Sequence, residues 1–181
     1  MGHRSVEKGF GLIELLVTLA VITMVISIGI PSYESFTKKN RAVSRLDEIN
    51  SALRLARQVA IEHNFRARVC AKSGSGLNTN TCGNATDWNN GYLVQMESSA
   101  AYGSWDSNTL MNKSFASDNT QTAVAKTSTS TLLNQVVFNS TGNLDSASGP
   151  NVAITISLGG CTATTSINIS GRISTTPLSG C

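Results

Sequence analysis

The sequence predicts an α+β fold: a long N-terminal helix, membrane-spanning in its first half and amphipathic in its second, packed on an antiparallel β-sheet head. Three observations carry this. Phe10 to Ile30 is an apolar run of 21 residues with one charge in it, Glu14. Beyond Pro31, apolar residues go on recurring at helical spacing. From residue 65 the texture changes to short alternating runs punctuated by Gly, Asn and Asp, the signature of strands and turns.

Four segments follow from this reading. Residues 1–9, "MGHRSVEKG", are a short polar leader with Arg4 and Lys8. Residues 10–31 are the apolar helix, which at helical rise spans about 32 Å and matches a bilayer core. The rival reading is a secretory signal peptide, with Ser27-Ile28-Gly29 as a small-x-small cleavage site. The run is long for that and carries an acid. Pro31 removes a backbone donor and is expected to kink the helix or break it locally. Residues 32–64 continue as an amphipathic helix whose buried stripe is read as Phe36, Val43, Leu46, Ile49, Leu53, Ala56 and Ala60.

Residues 65–181 form the head. Expected strands are "FRARVCAK" (65–72), "GYLVQME" (91–97), "LLNQVVFN" (132–139), "NVAITISL" (151–158) and "TTSINISGRI" (164–173). Val152, Ile154, Ile156 and Leu158 alternate as a half-covered sheet requires. Gly159-Gly160 marks a hairpin before the last strand, and 98–130, rich in Ser, Thr and Asn, reads as an irregular loop with at most one short strand. A sheet of four or five strands needs a cover, and the amphipathic half-helix supplies one.

Charge is sparse, at 14% of residues, and unevenly placed. From Lys38 to Lys72 nine bases face three acids, whereas from Ser73 onward three bases face five acids. Sparse charge beside abundant Ser, Thr and Asn suits a secreted, sheet-rich domain. Four cysteines allow three connectivities. Proximity in sequence suggests Cys70 with Cys82 and Cys161 with Cys181, and a tied-down terminal residue argues for an oxidising compartment.

Catalytic constellations are missing. His3 lies in the leader and His63 at the helix end, so a Ser-His-Asp triad or a His-rich metal site is hard to assemble. No Gly-rich phosphate loop follows a strand. The expectation is a non-enzyme with no cofactor and no metal. Glu14 is the residue that asks for a task, because a charge inside a membrane segment is costly unless it is partnered. Cleavage after Gly9 would release the α-amino group of Phe10. That cation could meet Glu14 of a neighbouring molecule offset along the helix axis, a head-to-tail contact that propagates as a filament.

"KGFGLIELLVTLAVITMVISIGIPSYESF" resembles the N-terminus of type IV prepilins and type II secretion pseudopilins: a basic leader ending in Gly9, then Phe10, Glu14 at the fifth mature position, and the proline of the motif as Pro31. Gly11 departs from the Thr or Ser usual at the second mature position. The resemblance implies cleavage between Gly9 and Phe10 by a prepilin peptidase, N-methylation of Phe10, and docking through Glu14. It implies a single-pass inner-membrane helix with its head in the periplasm before assembly into an extracellular pilus. The implied partners are other minor pilins, the major pilin and the peptidase.

Cys70, Cys82, Trp88, Gly91, Tyr92 and Gly171-Arg172 look like the head signature of minor pilins and pseudopilins of the FimU/FimT/GspH kind. Three roles follow. The first is a minor pilin at or near the tip that helps prime assembly. The second is a DNA-binding subunit of the FimT-like kind, with Arg66, Arg68, Lys72 and Arg172 as candidate contacts. Here Gly171-Arg172-Ile173-Ser174 lacks the second arginine of a Gly-Arg-x-Arg motif, and the region from Ser73 is net acidic, which weakens phosphate binding. The third is a GspH-like type II secretion pseudopilin.

Overall fold

A computed structural model describes residues 11–74, 76, 79–97, 103, 105–115, 121–158 and 160–180. Within these ranges the side chains at 28–32, 35, 106–108, 121, 177 and 178 lie outside the description. Two compact units divide the chain, Met1–Thr37 and Lys38–Cys181.

The helix α1 runs from Leu12 to His63. Its assignment is continuous through position 31, so of the two expected effects of Pro31 a break does not occur. Gly11 stands just outside the first turn, and its carbonyl accepts from the backbone N–H of Glu14 at 3.0 Å and of Leu15 at 3.2 Å. Glycine is well tolerated at such a capping position. Thr18, Thr23 and Ser27 each donate to the carbonyl three residues back, at 2.9, 2.8 and 2.7 Å. Those hydroxyls are therefore satisfied within the helix. The apolar side chains around them are exposed along the whole described run, from Leu12 at 78% to Ile26 at 50%. Among the described residues no helix is long and apolar enough to cross a membrane. The expected span falls only partly within them, since Phe10 and the side chains of 28–30 lie outside.

In the second unit, one face of α1 is buried at Ala42, Leu46, Ile49, Leu53, Ala56 and Ala60. These steps of three and four follow the helical period. Phe36 and Val43, assigned to this stripe from the sequence, are exposed. Ala42, one position before Val43, takes the buried place instead.

Among the described residues nine strands form two antiparallel sheets rather than the single sheet expected. β1 (Ala67–Ala71), β2 (Gly91–Glu97), β3 (Trp105–Ser114) and β6 (Gln135–Phe138) make one sheet, in the order β3-β2-β1-β6. β4 (Gln121–Thr127), β5 (Leu132–Leu133), β7 (Asn151–Leu158), β8 (Cys161–Asn168) and β9 (Ile173–Ser179) make the other, in the order β5-β4-β7-β8-β9. The alternation of β7 is realised, with Val152, Ile154, Ile156 and Leu158 buried and the intervening residues outward. A single apolar core joins the helix stripe to Val69, Val94 and Phe138 of the first sheet and to Ile154, Ile156 and Ile167 of the second.

Two expectations are corrected here. The segment 98–130 contains β3 and β4, which the sequence hides because their Ser, Thr and Asn carry little apolar alternation and their pairing with β2 and β7 supplies the order. The stretch 164–173 is not one strand: β8 ends at Asn168, Gly171 turns with φ +72°, and β9 begins at Ile173.

Polar contacts fix the helix to both sheets. Tyr92 Oη donates to the Glu48 carbonyl at 3.1 Å. Thr165 Oγ1 donates to Asn50 Oδ1 at 2.7 Å, and Asn50 Nδ2 donates to Thr175 Oγ1 at 3.1 Å. Leu53, fully buried at the centre of the stripe, has no room to leave without a void. Leu53→Ala is expected to cost about 2–5 kcal/mol. Denaturant unfolding of the full chain in detergent, followed by near-ultraviolet circular dichroism, measures it.

Candidate functional site

Two regions hold the residues singled out from the sequence: the start of α1 and the surface of the head. Gly9 and Phe10, the expected cleavage pair, lie outside the described residues. Glu14 is on the first turn of α1, exposed, with no hydrogen bond or ion pair among the described residues. Leu12, Ile13, Leu15, Leu16 and Val17 surround it, all exposed. A carboxylate at a helix start is favoured by the dipole, but this one is set in apolar surface. Without a partner among the described residues, its carboxylate keeps its hydrogen-bonding capacity open.

In the head, Cys70 and Cys82 form a disulfide with a Cα–Cα distance of 5.7 Å, closing the loop ahead of Trp88. Cys161 is also disulfide-bonded, and its expected partner, Cys181, lies outside the described residues. The Trp-x-x-Gly-aromatic motif has a packing role. Trp88, in a short 3₁₀ turn rather than a strand, is fully buried and donates its Nε1–H to the Leu133 carbonyl at 2.7 Å. Gly91 has φ +129°, and a Cβ there would lie 2.0 Å from the Lys113 carbonyl oxygen, so only glycine fits.

Three of the four candidate DNA-contact residues are engaged inside the head. The Arg66 guanidinium forms a two-pronged pair with Glu97, its Nε–Oε2 distance being 2.7 Å, and stands 3.8 Å from Asp145. Arg68 donates to the Oε1 atoms of Gln95 and Gln135 and stacks 4.2 Å from the centre of the Trp105 ring. Burial lowers its pKa to about 10. Lys72 is fully buried, donating to Asn112 Oδ1 at 2.7 Å and Ser114 Oγ at 2.6 Å, and burial pushes its ammonium pKa down. Charges spent on internal partners offer little to phosphate.

Arg172 is exposed. It lines a cleft of about 790 Å³ with Arg54, Arg57, Gln58 and Ile61 of α1. Arg57 donates from Nε to the Gly142 carbonyl at 2.8 Å and from Nη2 to the Ser170 carbonyl at 3.4 Å, which pins the turn before β9 against the helix. A Cβ on Gly171 would lie 2.0 Å from the Gly142 oxygen, so the Gly171-Arg172 pair belongs to a close approach of two turns. Sequence reasoning missed Arg54 and Arg57 as neighbours of Arg172. More than a hundred residues separate them, and only the fold brings them together. Among the described residues no group of three or more His, Cys, Asp or Glu could hold a metal ion.

This head, headed by a helix with exposed apolar surface and one seated carboxylate, has the architecture of a type IV pilin-like subunit. A family model described as type II transport protein GspH matches residues 46–173, and a prokaryotic N-terminal methylation motif matches residues 4–30. The chain belongs to the GspH family, within the wider class of type IV minor pilins and pseudopilins, which are structural subunits. The type IV minor pilin FimU of Pseudomonas aeruginosa PAO1 has a similar fold in two crystal forms. One gives a TM-score of 0.54 at 22% identity, covering 78% of this chain and 92% of that one. The other gives 0.50 at 21% identity, covering 74% and 91%.

Curated relatives match over shorter lengths. A fimbrial protein of Pseudomonas aeruginosa is 38% identical over 55 residues, which is 30% of this chain and 35% of that protein. The type IV major fimbrial protein FimA of Dichelobacter nodosus is 31% identical over 75 residues, 41% of this chain and 47% of that protein. The chain thus spans between about a third and a half of the length of these relatives.

The Arg66–Glu97 pair generates a pH dependence. The hydrogen bond from Arg66 is the largest of the causes that hold the Glu97 carboxyl below its ordinary value of 4.5. The unfolded chain therefore takes up a proton at higher pH than the folded one, so this contribution is present above about pH 4.5 and is lost as pH falls through the folded value. Glu97→Gln is expected to cost about 3 kcal/mol at pH 7, by leaving Arg66 short of its main anion, and less at pH 3. Urea unfolding of both proteins at the two pH values measures the difference.

Proposed function

We propose that this chain is a minor pilin of a type IV pilus, incorporated at or near the tip and helping to prime assembly. The observation that carries the reading is Glu14: exposed, without a partner among the described residues, in apolar surface, and within the matched N-terminal methylation motif. A peptidase cuts between Gly9 and Phe10 and methylates the new amine. That amine and Glu14 of a neighbouring subunit then neutralise each other in a low-dielectric layer, where an unpaired charge is costly. Before assembly the apolar helix sits in the inner membrane with the head in the periplasm; afterwards the subunit is part of an extracellular filament with the major pilin and other minor pilins.

The description of the matched family favours a second reading, a pseudopilin of a type II secretion machine. It uses the same processing and the same Glu14 contact, and differs in partners. Co-purification of the native protein with sheared pili or with secretion components separates the two. The DNA-uptake reading is supported by Arg172 alone among its four candidate contacts, because Arg66, Arg68 and Lys72 are internally paired.

Glu14→Ala is expected to leave the head folded and the protein present in membranes, while lowering its amount in sheared filaments at least tenfold in a strain without the wild-type copy. Immunoblots of the membrane and sheared fractions read this out. Normal incorporation of the variant would overturn the docking role.

A further inference from the structure

The cleft between the C-terminal part of α1 and the turn leading into β9 has two walls of different character. Arg54 and Arg172 stand exposed on its rim, and neither is in an ion pair or side-chain hydrogen bond among the described residues. Arg57 is held by the Gly142 and Ser170 carbonyls. The apolar side chains lining it are Ile61, half exposed, and Ile173. Arg172 also lines an adjoining cleft of about 440 Å³ with Asn151, Val152 and Ser174, so it stands on the wall between two depressions.

We propose that this cleft seats an extended, acidic and partly apolar peptide segment from the head of a neighbouring filament subunit; the inference rests on the reading of the chain as a filament subunit. Two guanidinium groups with open donors match carboxylates in a geometry that can be bidentate. Ile61 and Ile173 give the apolar contact that lies at the centre of a protein interface, ringed by polar groups. Two depressions that share Arg172 as a lining residue offer room for a segment of chain beyond a single ion.

Nucleic acid fits less well. Binding it rests on neutralising several phosphates, and on aromatic platforms where bases are held. Among the described residues this cleft is lined by three arginines, one of them, Arg57, tied to two carbonyls, with no aromatic side chain, and Glu62 lines it as a repelling carboxylate. A peptide can place its acids beside Arg54 and Arg172 and avoid Glu62, whereas a uniformly charged backbone cannot.

The test uses the full chain in cells that assemble filaments, with a photoreactive benzoylphenylalanine replacing Gln58, an exposed position in the cleft. Irradiation is expected to give an adduct that mass spectrometry maps to a segment of another pilin-class subunit holding Asp or Glu beside apolar residues. Arg54→Glu with Arg172→Glu should lower the adduct at least tenfold, and Arg54→Lys with Arg172→Lys should restore much of it. An adduct with nucleic acid, an adduct insensitive to the charge reversals, or no adduct overturns the proposal. If the chain is found in sheared filaments while Gln58 labels no subunit, the cleft proposal fails and the filament reading stands. If the chain is absent from filaments, both fail.

Discussion

The head depends on one contact, the small-residue face of α1 against two sheets at once. Ala52, Ala56 and Ala60 let the strands approach closely, while Leu46, Ile49 and Leu53 fill the space between. Neither sheet has a core of its own to retreat to, since the side chains that face the helix from both belong to one cluster. Non-directional burial of this kind fixes position poorly, and directional pins complete it. Asn50 reaches Thr165 on β8 and Thr175 on β9, and Tyr92 on β2 reaches the Glu48 carbonyl. Burial, with the Glu48 charge adding to it, raises the Tyr92 pKa to about 12, so that pin keeps its proton at any physiological pH.

The same head holds three of its cations, Arg66, Arg68 and Lys72, on internal partners. Arg66 and Arg68 flank Trp105, with ring-centre distances of 5.5 and 4.2 Å, and Glu97 and Gln95 take their hydrogen bonds. Lys72 donates to Asn112 and Ser114 of β3, tying the end of β1, beside the disulfide loop, to an edge strand. A buried cation with partners removed is far more costly than one with them kept, so these side chains are held by their own desolvation. What looks in the sequence like a basic patch is the internal bracing of the first sheet.

Legibility in the sequence followed the strength of the local period. β7 is legible at its observed bounds because a strand with one covered face must alternate, whereas β2, buried at all but one position, is legible as a short apolar run bounded by Gly91. The helix was read as one element, because its apolar steps persist past Pro31. β3 and β4 escaped, since Asn, Ser and Thr pair through the backbone ladder without an apolar alternation to announce it. Splitting 164–173 into β8, a turn and β9 required knowing that Gly171 has a positive φ, which a Gly in a strand-like run signals only weakly. For the site, Glu14 was legible because a carboxylate in an apolar run contradicts its surroundings. The internal roles of Arg66, Arg68 and Lys72 were not, because a side chain's partners across three strands are set by register, and register is a property of the fold.

On the proposed reading, the start of α1 and the head solve different recognition problems. A carboxylate in apolar surface, without a partner among the described residues, discriminates little among neighbours: on the proposed reading it asks only for a cation in the same low-dielectric layer, and any processed subunit with a free amine supplies one. Such a contact gives cohesion without identity. Identity then has to come from shape and charge arranged on the head, where Arg66, Arg68 and Lys72 are already internally bound. Arg54 and Arg172 share a cleft with Ile61 and Ile173, so on the proposed reading they reward the right neighbour and, through Glu62 beside them, penalise a wrongly charged one. A subunit that shares its helix chemistry with every other member of its filament needs such a head surface if it is to occupy one position rather than any.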